Sequence, residues 1–336
     1  LGVYVELVRM VENLDSDEPV LADLRGRVAG AGESLRQLDD ILQKLESRGN
    51  ILGLIIFDML FAWDMRIVGD FAKWQQRHSD DFDVWIRTVS EFDMLVSMAT
   101  FRYTEAAIGS DVVVVASDKV VYEARGLFHP FLGSSAVRND FSIADRNFYI
   151  VTGANMAGKS TFLRSLGVNY VLAMNGMPVF ADELTVSRFS LFTSMRTTDD
   201  LTPGISYFNA ELLRLRQIID SLKESGTADG SGKSGNGTSG GHLIILDEIL
   251  KGTNSEDKLS GSRMFLEYVA GKNVTGVIAT HDLKLSAMAE EQPGRFHNYC
   301  FEIALGTDVT YSYKITPGVA RNQNATFLLK NILKEN

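Results

Sequence analysis

Apolar residues recur at helical spacing through the first third of the chain. Leu35, Leu38, Leu42 and Leu45 form one stripe, and Gly49-Asn50 behind them supplies a stop. Residues 51 to about 77 continue helix-like, with Trp63, Ile67, Phe71 and Trp74 on one face. Ser79-Asp80 then predicts the cap of a third helix, whose Trp85, Val89, Phe92, Val96 and Ala99 make an apolar stripe. Aromatic stripes of this kind are core far more often than cofactor boxes, and no catalytic constellation sits among them. From Val112 the pattern changes. Short β-branched runs at 112–115, 148–152, 243–246 and 274–279 alternate with helical segments at 159–174, 207–222 and 257–271. Strand and helix in alternation predict an α/β fold with a mostly parallel sheet wrapped by helices.

The 336 residues suggest two domains on a prior of about 150 residues each. The expected boundary lies near residue 110, with a helical core or lever domain over 1–110 and the α/β domain over 111–336. With 45% hydrophobic and 23% charged residues, the chain can bury a core. Its longest apolar run, 51–57, stops at Asp58, far short of the ~20 residues of a membrane span. No membrane contact is expected from these residues, and an upstream tether in the parent is left open. One cysteine, Cys300, excludes a disulfide framework and a multi-cysteine metal site; it fits a reducing, cytoplasmic setting. The opening Leu1-Gly2-Val3, without an initiator Met, reads as part of a longer parent. Residues 225–241 hold seven glycines in 17 positions and read as a flexible linker-class loop. Their Gly-Ser-Gly-Lys-Ser imitates a phosphate loop, but no strand leads in and no helix leads out.

The net charge is -10, and its placement matters more than its sum. Residues 1–110 hold 19 acidic and 11 basic side chains. Binding to a phosphate backbone needs clustered Lys and Arg that release counterions. The first 110 residues are therefore a poor nucleic-acid clamp by themselves.

Chemistry concentrates after residue 147. Phe148-Tyr149-Ile150-Val151-Thr152 runs into Gly153-Ala154-Asn155-Met156-Ala157-Gly158-Lys159-Ser160-Thr161 and then into a helical segment. This is G-x-x-x-x-G-K-[ST] between strand and helix, the Walker A pattern of a nucleotide-binding P-loop. Backbone N–H groups and a helix N-terminus would face phosphates there, Gly158 allowing close approach. Lys159 would reach the β and γ phosphates, and the Ser160 hydroxyl would ligate Mg²⁺. Leu243-Ile244-Ile245-Leu246 delivers Asp247 and Glu248 at a strand's C-terminal edge, where α/β sheets place their ligands. Asp247 would hold Mg²⁺, and Glu248 would orient the attacking water. Val277-Ile278-Ala279-Thr280-His281 repeats the device with a histidine able to donate to a γ-phosphate or to that water. Together these residues read as an ATPase site with ATP and Mg²⁺. Nothing resembles the acceptor pocket of a kinase.

The order of these motifs resembles the MutS mismatch-repair ATPases of the ABC class. The resemblance rests on GANMAGKST, DDLTPGISYFNAEL (199–212), LDEILKGTNSEDKLSG (246–261) and ATHD (279–282), with SEFDMLVSMATF (90–101) similar to the end of the family's helical core. It implies a P-loop ABC-type ATPase domain working as a homodimer, with composite sites closed by a signature segment of the opposite subunit. Here that segment is Gly204 to Glu211, with Ser206 turned toward the partner's nucleotide or simply capping its own helix. Asn254 and Ser255 resemble the loop that crosses the dimer interface. Pro317-Gly318-Val319-Ala320 and residues 324–332 resemble the family's C-terminal helix-turn-helix, about 315–336. Tyr313 falls where the family often has a ring against adenine; a packed strand tyrosine is the equal alternative. Ala157 stands for a glycine, Leu250-Lys251-Gly252-Thr253 for Gly-Arg-Gly-Thr, and Ala136 or Val137 for an aromatic. The mismatch-reading domain has no counterpart in these residues. The DNA partner of a MutS-like parent is thus expected from kinship alone; the alternative is a divergent ABC ATPase acting on another DNA structure or a protein assembly.

Overall fold

The computed structural model describes residues 1–46, 63–105, 109–195, 207–226, 241–251, 253–305 and 309–321. Contacts divide the chain into two units, Leu1–Tyr103 and Thr104–Asn336. The first contains α1 (Gly2–Glu12), α2 (Pro19–Arg27) and α3 (Ala31–Glu46), and α4 (Trp63–Glu105) begins in it. Neither α1 nor α2 is expected from the sequence reading above. Val5, Val8 and Val11 nevertheless place an apolar stripe on α1, and Pro19 starts α2 where its missing N–H costs nothing. These stripes close on Leu24, Leu35, Leu38, Ile67, Trp74, Trp85 and Val89 in one core. The Trp74 indole N–H donates to Ser34 O at 2.8 Å.

The third helix expected to start at Ser79-Asp80 does not form separately. α4 is a single helix of 43 residues, about 64 Å at 1.5 Å per residue, and it passes through Ser79-Asp80 without a break. Ser and Asp favour caps but do not force a stop; Gly or Pro does, and neither occurs between 70 and 105. The stripe also frays. Ile67 and Trp74 are buried, whereas Phe71 and Val96 are exposed.

The second unit is a mixed α/β arrangement. A six-stranded sheet has the order β10-β9-β4-β8-β7-β6, formed by β4 (Phe148–Gly153), β6 (Ser190–Ser194), β7 (His242–Asp247), β8 (Val274–Thr280), β9 (Phe296–Leu305) and β10 (Val309–Pro317). Its neighbours are parallel except for the β9–β10 edge hairpin. A four-stranded sheet of order β1-β5-β2-β3 comprises β1 (Val112–Val115), β2 (Tyr122–Leu127), β3 (Asn139–Ile143) and β5 (Glu183–Ser187). Helices α5 (Lys159–Met174), α6 (Tyr207–Gly226), α7 (Ser255–Ala270) and α8 (Ala287–Glu291), with 3-10 turns at Pro130–Ser135 and Leu283–Ser286, complete the described elements.

β4, β7 and β8 are buried at every position, which is why they read as continuous apolar runs instead of alternating ones. Alternate residues feed two cores. Val151, Ile245 and Val277 meet Leu163, Leu166 and Tyr170 of α5, while Ile150, Ile244 and Ile278 meet Leu215 and Ile218 of α6 and Leu266 and Val269 of α7. Each fully buried Leu or Ile contributes roughly 1.5–3 kcal/mol relative to exposure. Register then fixes the active edge: Thr152 pairs with Thr280, and Asp247 with Ala279. Residues 315–317 belong to β10, and Gly318 to Arg321 follow it; 322–336, including the expected 324–332 helix, lie outside the described residues. So do 227–240 of the glycine-rich loop.

Gly276 shows how tightly these strands pack. It pairs with Phe148, and a Cβ there would stand 2.6 Å from that ring, which stacks on Phe296 at 5.1 Å. Gly276→Ala is expected to lower stability by about 1–3 kcal/mol in urea unfolding followed by circular dichroism; an unchanged midpoint would contradict this packing.

Candidate functional site

The loop 154–158 leaves β4 at its C-terminal end and turns directly into α5. Gly158 is the N-cap at φ 108°, and no side chain caps the helix, so the first-turn N–H groups face the cavity beyond the loop. A Cβ on Gly158 would sit 3.2 Å from the Tyr313 ring, and one on Gly153 would sit 2.9 Å from Phe301 O. Both positions require glycine. Ala154 and Ala157 turn inward into the core, whereas Met156 is 76% exposed at φ 65°. Ser160 and Thr161 are half-buried in the first turn of α5.

Lys159 is only 5% exposed. Its ammonium donates to Gly153 O at 2.7 Å and Ala154 O at 2.8 Å, and stands 3.4 Å from His281 Nδ1. A lysine can only donate, so Nδ1 is the acceptor and the ring carries its proton on Nε2, which points at Glu248 Oε1 3.7 Å away. Glu248 is also approached by Lys258 Nζ at 3.6 Å and Lys251 Nζ at 3.8 Å. Asp247 is 5% exposed, and its Oδ2 is buried with no hydrogen-bond partner. A buried carboxylate oxygen without a donor is costly unless a cation or donor arrives. Among the described residues no group of three or more His, Cys, Asp or Glu forms a metal cage. Asp247 and Ser160 both border the cavity beyond the loop and could each offer an oxygen to a cation.

These groups line one cavity of about 530 Å³, within the range of small-molecule sites. Asn155 through Thr161, Asp247, Glu248 and His281 border it together with Phe128, His129, Asn139 and Tyr313. The Asn139 side chain brackets the backbone at Tyr313 by donating to Tyr313 O at 3.1 Å and accepting from Ile315 N at 2.9 Å. This bracket holds a β-bulge between Tyr311 and Ile315 in which Tyr313 takes φ 52° and stacks on Tyr311. Asn254 is the exposed N-cap of α7, accepting from Asp257 N at 2.9 Å, and Ser255 opens that helix. Neither borders the cavity. Ser206 lies outside the described residues, immediately before α6.

Lys251, Lys258 and Glu211 fall inside the quoted motifs, but their contacts around Glu248 and its turn are not assigned by the sequence reading. Glu211 is the one with a legible signal, since it shares helical spacing with the buried Leu215, Ile218 and Leu222 of α6.

Fold and site together define a mixed α/β protein with a glycine-bearing strand-to-helix loop whose lysine lines one cavity with two carboxylates and a histidine. Residues 149–327 match the MutS domain V family, and the chain belongs to the MutS family. It is similar to the DNA mismatch repair protein MutS of Natronomonas pharaonis, 29% identical over 245 residues covering 70% of this chain and 26% of that protein. It is similar to the DNA mismatch repair protein MSH2 of Zea mays, 28% identical over 283 residues covering 78% and 28%. The MutS of Ruminiclostridium cellulolyticum is 31% identical over 248 residues covering 70% and 26%. The chain thus spans about a quarter of the length of these relatives. No described helix is long and apolar enough to cross a membrane.

Burial, and next the Lys159 ammonium, hold the His281 ring below its usual 6.5; Lys258 acts the same way, while Glu248 and Asp247 oppose it. The fold prefers the neutral ring, so that contribution to stability is present above about pH 6.5 and is lost as pH falls below it. An NMR titration of the ring is expected to give a midpoint below 6.5, rising in Lys159→Met; a midpoint above 6.5 in the unsubstituted protein would contradict this electrostatic picture.

Proposed function

We propose that residues 104–336 bind Mg²⁺·ATP and hydrolyse it as a P-loop ATPase of the ABC class, at sites completed by a second copy of the chain. The observation that carries this reading is the convergence of Lys159, Asp247, Glu248 and His281 on the cavity beyond the 154–158 loop. Kinship to MutS and MSH2 supports a parent protein that couples the nucleotide cycle to DNA mismatch repair, in the cytoplasm or nucleus.

In this reading the loop amides and the Lys159 ammonium bind the β and γ phosphates, and Lys159 exchanges its loop carbonyl partners for phosphate oxygens. Ser160 and Asp247 hold the Mg²⁺, which offsets charge on the phosphate oxygens. Glu248 accepts a hydrogen bond from a water and aims its oxygen at the γ phosphorus, in line with the bridging oxygen to the β phosphate. The new P–O bond forms as that bridge breaks, giving ADP and inorganic phosphate. His281, neutral and protonated on Nε2, donates to the water or to a γ-phosphate oxygen. Tyr313 is the ring available to the base. Ser206 of one copy reaches the nucleotide of the other, while Asn254 and Ser255 sit near the crossing.

DNA contact belongs to the parent in this account, because residues 1–110 carry an excess of eight negative charges. The same excess leaves room for a second reading, an ATPase coupled to another DNA structure or to a protein assembly. Comparing stimulation of turnover by homoduplex, mismatched and branched DNA separates the two.

Glu248→Gln is expected to keep nucleotide binding within about twofold, to lower kcat by roughly 10²–10³-fold, and to accumulate a dimer with Mg²⁺·ATP in light scattering. Turnover at the unsubstituted rate would remove Glu248 from its role; a variant that binds ATP yet stays monomeric would remove the second copy from the site.

A further inference from the structure

The turn that carries Glu248 is strained and held from two sides. Glu248 and Leu250 adopt φ 64° and φ 59°, left-handed values that side-chain-bearing residues reach only when neighbours hold them. On the β8 side, Glu248 N donates to Ala279 O at 2.9 Å. On the α6 side, Glu211 accepts from Leu250 N at 2.6 Å through one carboxylate oxygen and from Lys251 N at 3.0 Å through the other. Leu250 itself is buried over Gly261 of α7, where a Cβ would come within 2.4 Å of its side chain.

Glu211 is an unusual occupant of its position. It is 8% exposed and follows the spacing of Leu215, Ile218 and Leu222, a core stripe where an apolar residue would ordinarily sit. An acidic group placed there costs desolvation unless both oxygens are satisfied, and the two amides of the turn satisfy them. A cavity of about 40 Å³ adjoins this contact, bordered by Ser194, Glu211, Arg214, Asp247 and Glu248, with room for water beside these three carboxylates.

We propose that Glu211 is a positioning residue for hydrolysis: by clamping the amides of Leu250 and Lys251 it holds the strained turn that aims Glu248 into the nucleotide cavity. This inference rests on the ATPase reading above. The clamp ties the first turns of α6 to the Glu248 turn, so a shift at the start of α6 alters how the water is aimed without touching the phosphate loop.

The test uses the full chain with Mg²⁺·ATP and a fluorescent ADP analogue. Glu211→Gln keeps the shape but sets an amide NH₂ against one of the two N–H donors. It is expected to lower kcat roughly 10- to 100-fold, the scale of a small misplacement of a reacting group. Nucleotide affinity and KM should stay within about twofold, and no further loss of turnover should occur in a Glu248→Gln background. Glu211→Asp, which keeps the charge but shortens the reach, should lie between; it serves as the readout if Glu211→Gln melts early. Unsubstituted kcat in a folded Glu211 variant, equal losses of affinity and turnover, or an additive loss on top of Glu248→Gln would overturn the proposal. Absence of ATP binding or turnover in the unsubstituted protein would instead sink the ATPase reading itself.

Discussion

The parallel register of three buried strands is the constraint on which the rest of this unit depends. β4, β8 and β7 pair side by side, and because both of their faces are packed into cores, their apolar side chains cannot exchange faces without mispacking both. Polar chemistry can therefore begin only where the strands end. All three end together: Thr152 lies opposite Thr280, and Asp247 opposite Ala279. The loop to Lys159, the Asp247-Glu248 pair and His281 consequently emerge along one line. A slip of one residue in any pairing would send its polar group into the core.

The electrostatics follow from this placement. Lys159 is folded under its own loop, with its charge shared between two carbonyls and the His281 ring. Glu248 stands among Lys251, Lys258 and His281, all within 4 Å. Asp247 keeps one buried oxygen without a donor. In the proposed function such an arrangement would take a multiply charged ligand with its own cation, phosphate oxygens facing the lysine and the cation Asp247. The backbone contributes as well, through left-handed conformations at Met156, Glu248 and Tyr313, all bordering the cavity. Strain of this kind persists only where surrounding contacts over-determine it, as Asn139 does for Tyr313 and Glu211 for the Glu248 turn.

Much of this arrangement is legible in the amino-acid sequence, for physical reasons. Strands buried on both faces leave unbroken apolar runs, so β4, β7 and β8 stand out, and α5 is delimited by Gly158 before it and Gly176 after it. The helical region is less legible. Ser79-Asp80 mimics a cap, but with no glycine or proline nearby helix propagation prevails and α4 runs through. Strands such as β2 and β3 bury alternate residues over only five or six positions, too short a pattern to separate from loop. Glu211 is harder still. Its helical spacing marks it as inward-facing, yet what it meets, a turn 39 residues away in sequence, is set by the tertiary fold alone.

In the proposed function the ends of these strands form a single triphosphate site. A crystal structure of this chain with Mg²⁺ and a non-hydrolysable ATP analogue is the most direct measurement. It should show the terminal phosphate against the amides of 154–159 and the Lys159 ammonium, the cation between Ser160 and Asp247, and Glu248 and His281 facing the γ phosphorus. An analogue bound elsewhere, or a cavity still empty at saturating analogue, would contradict it.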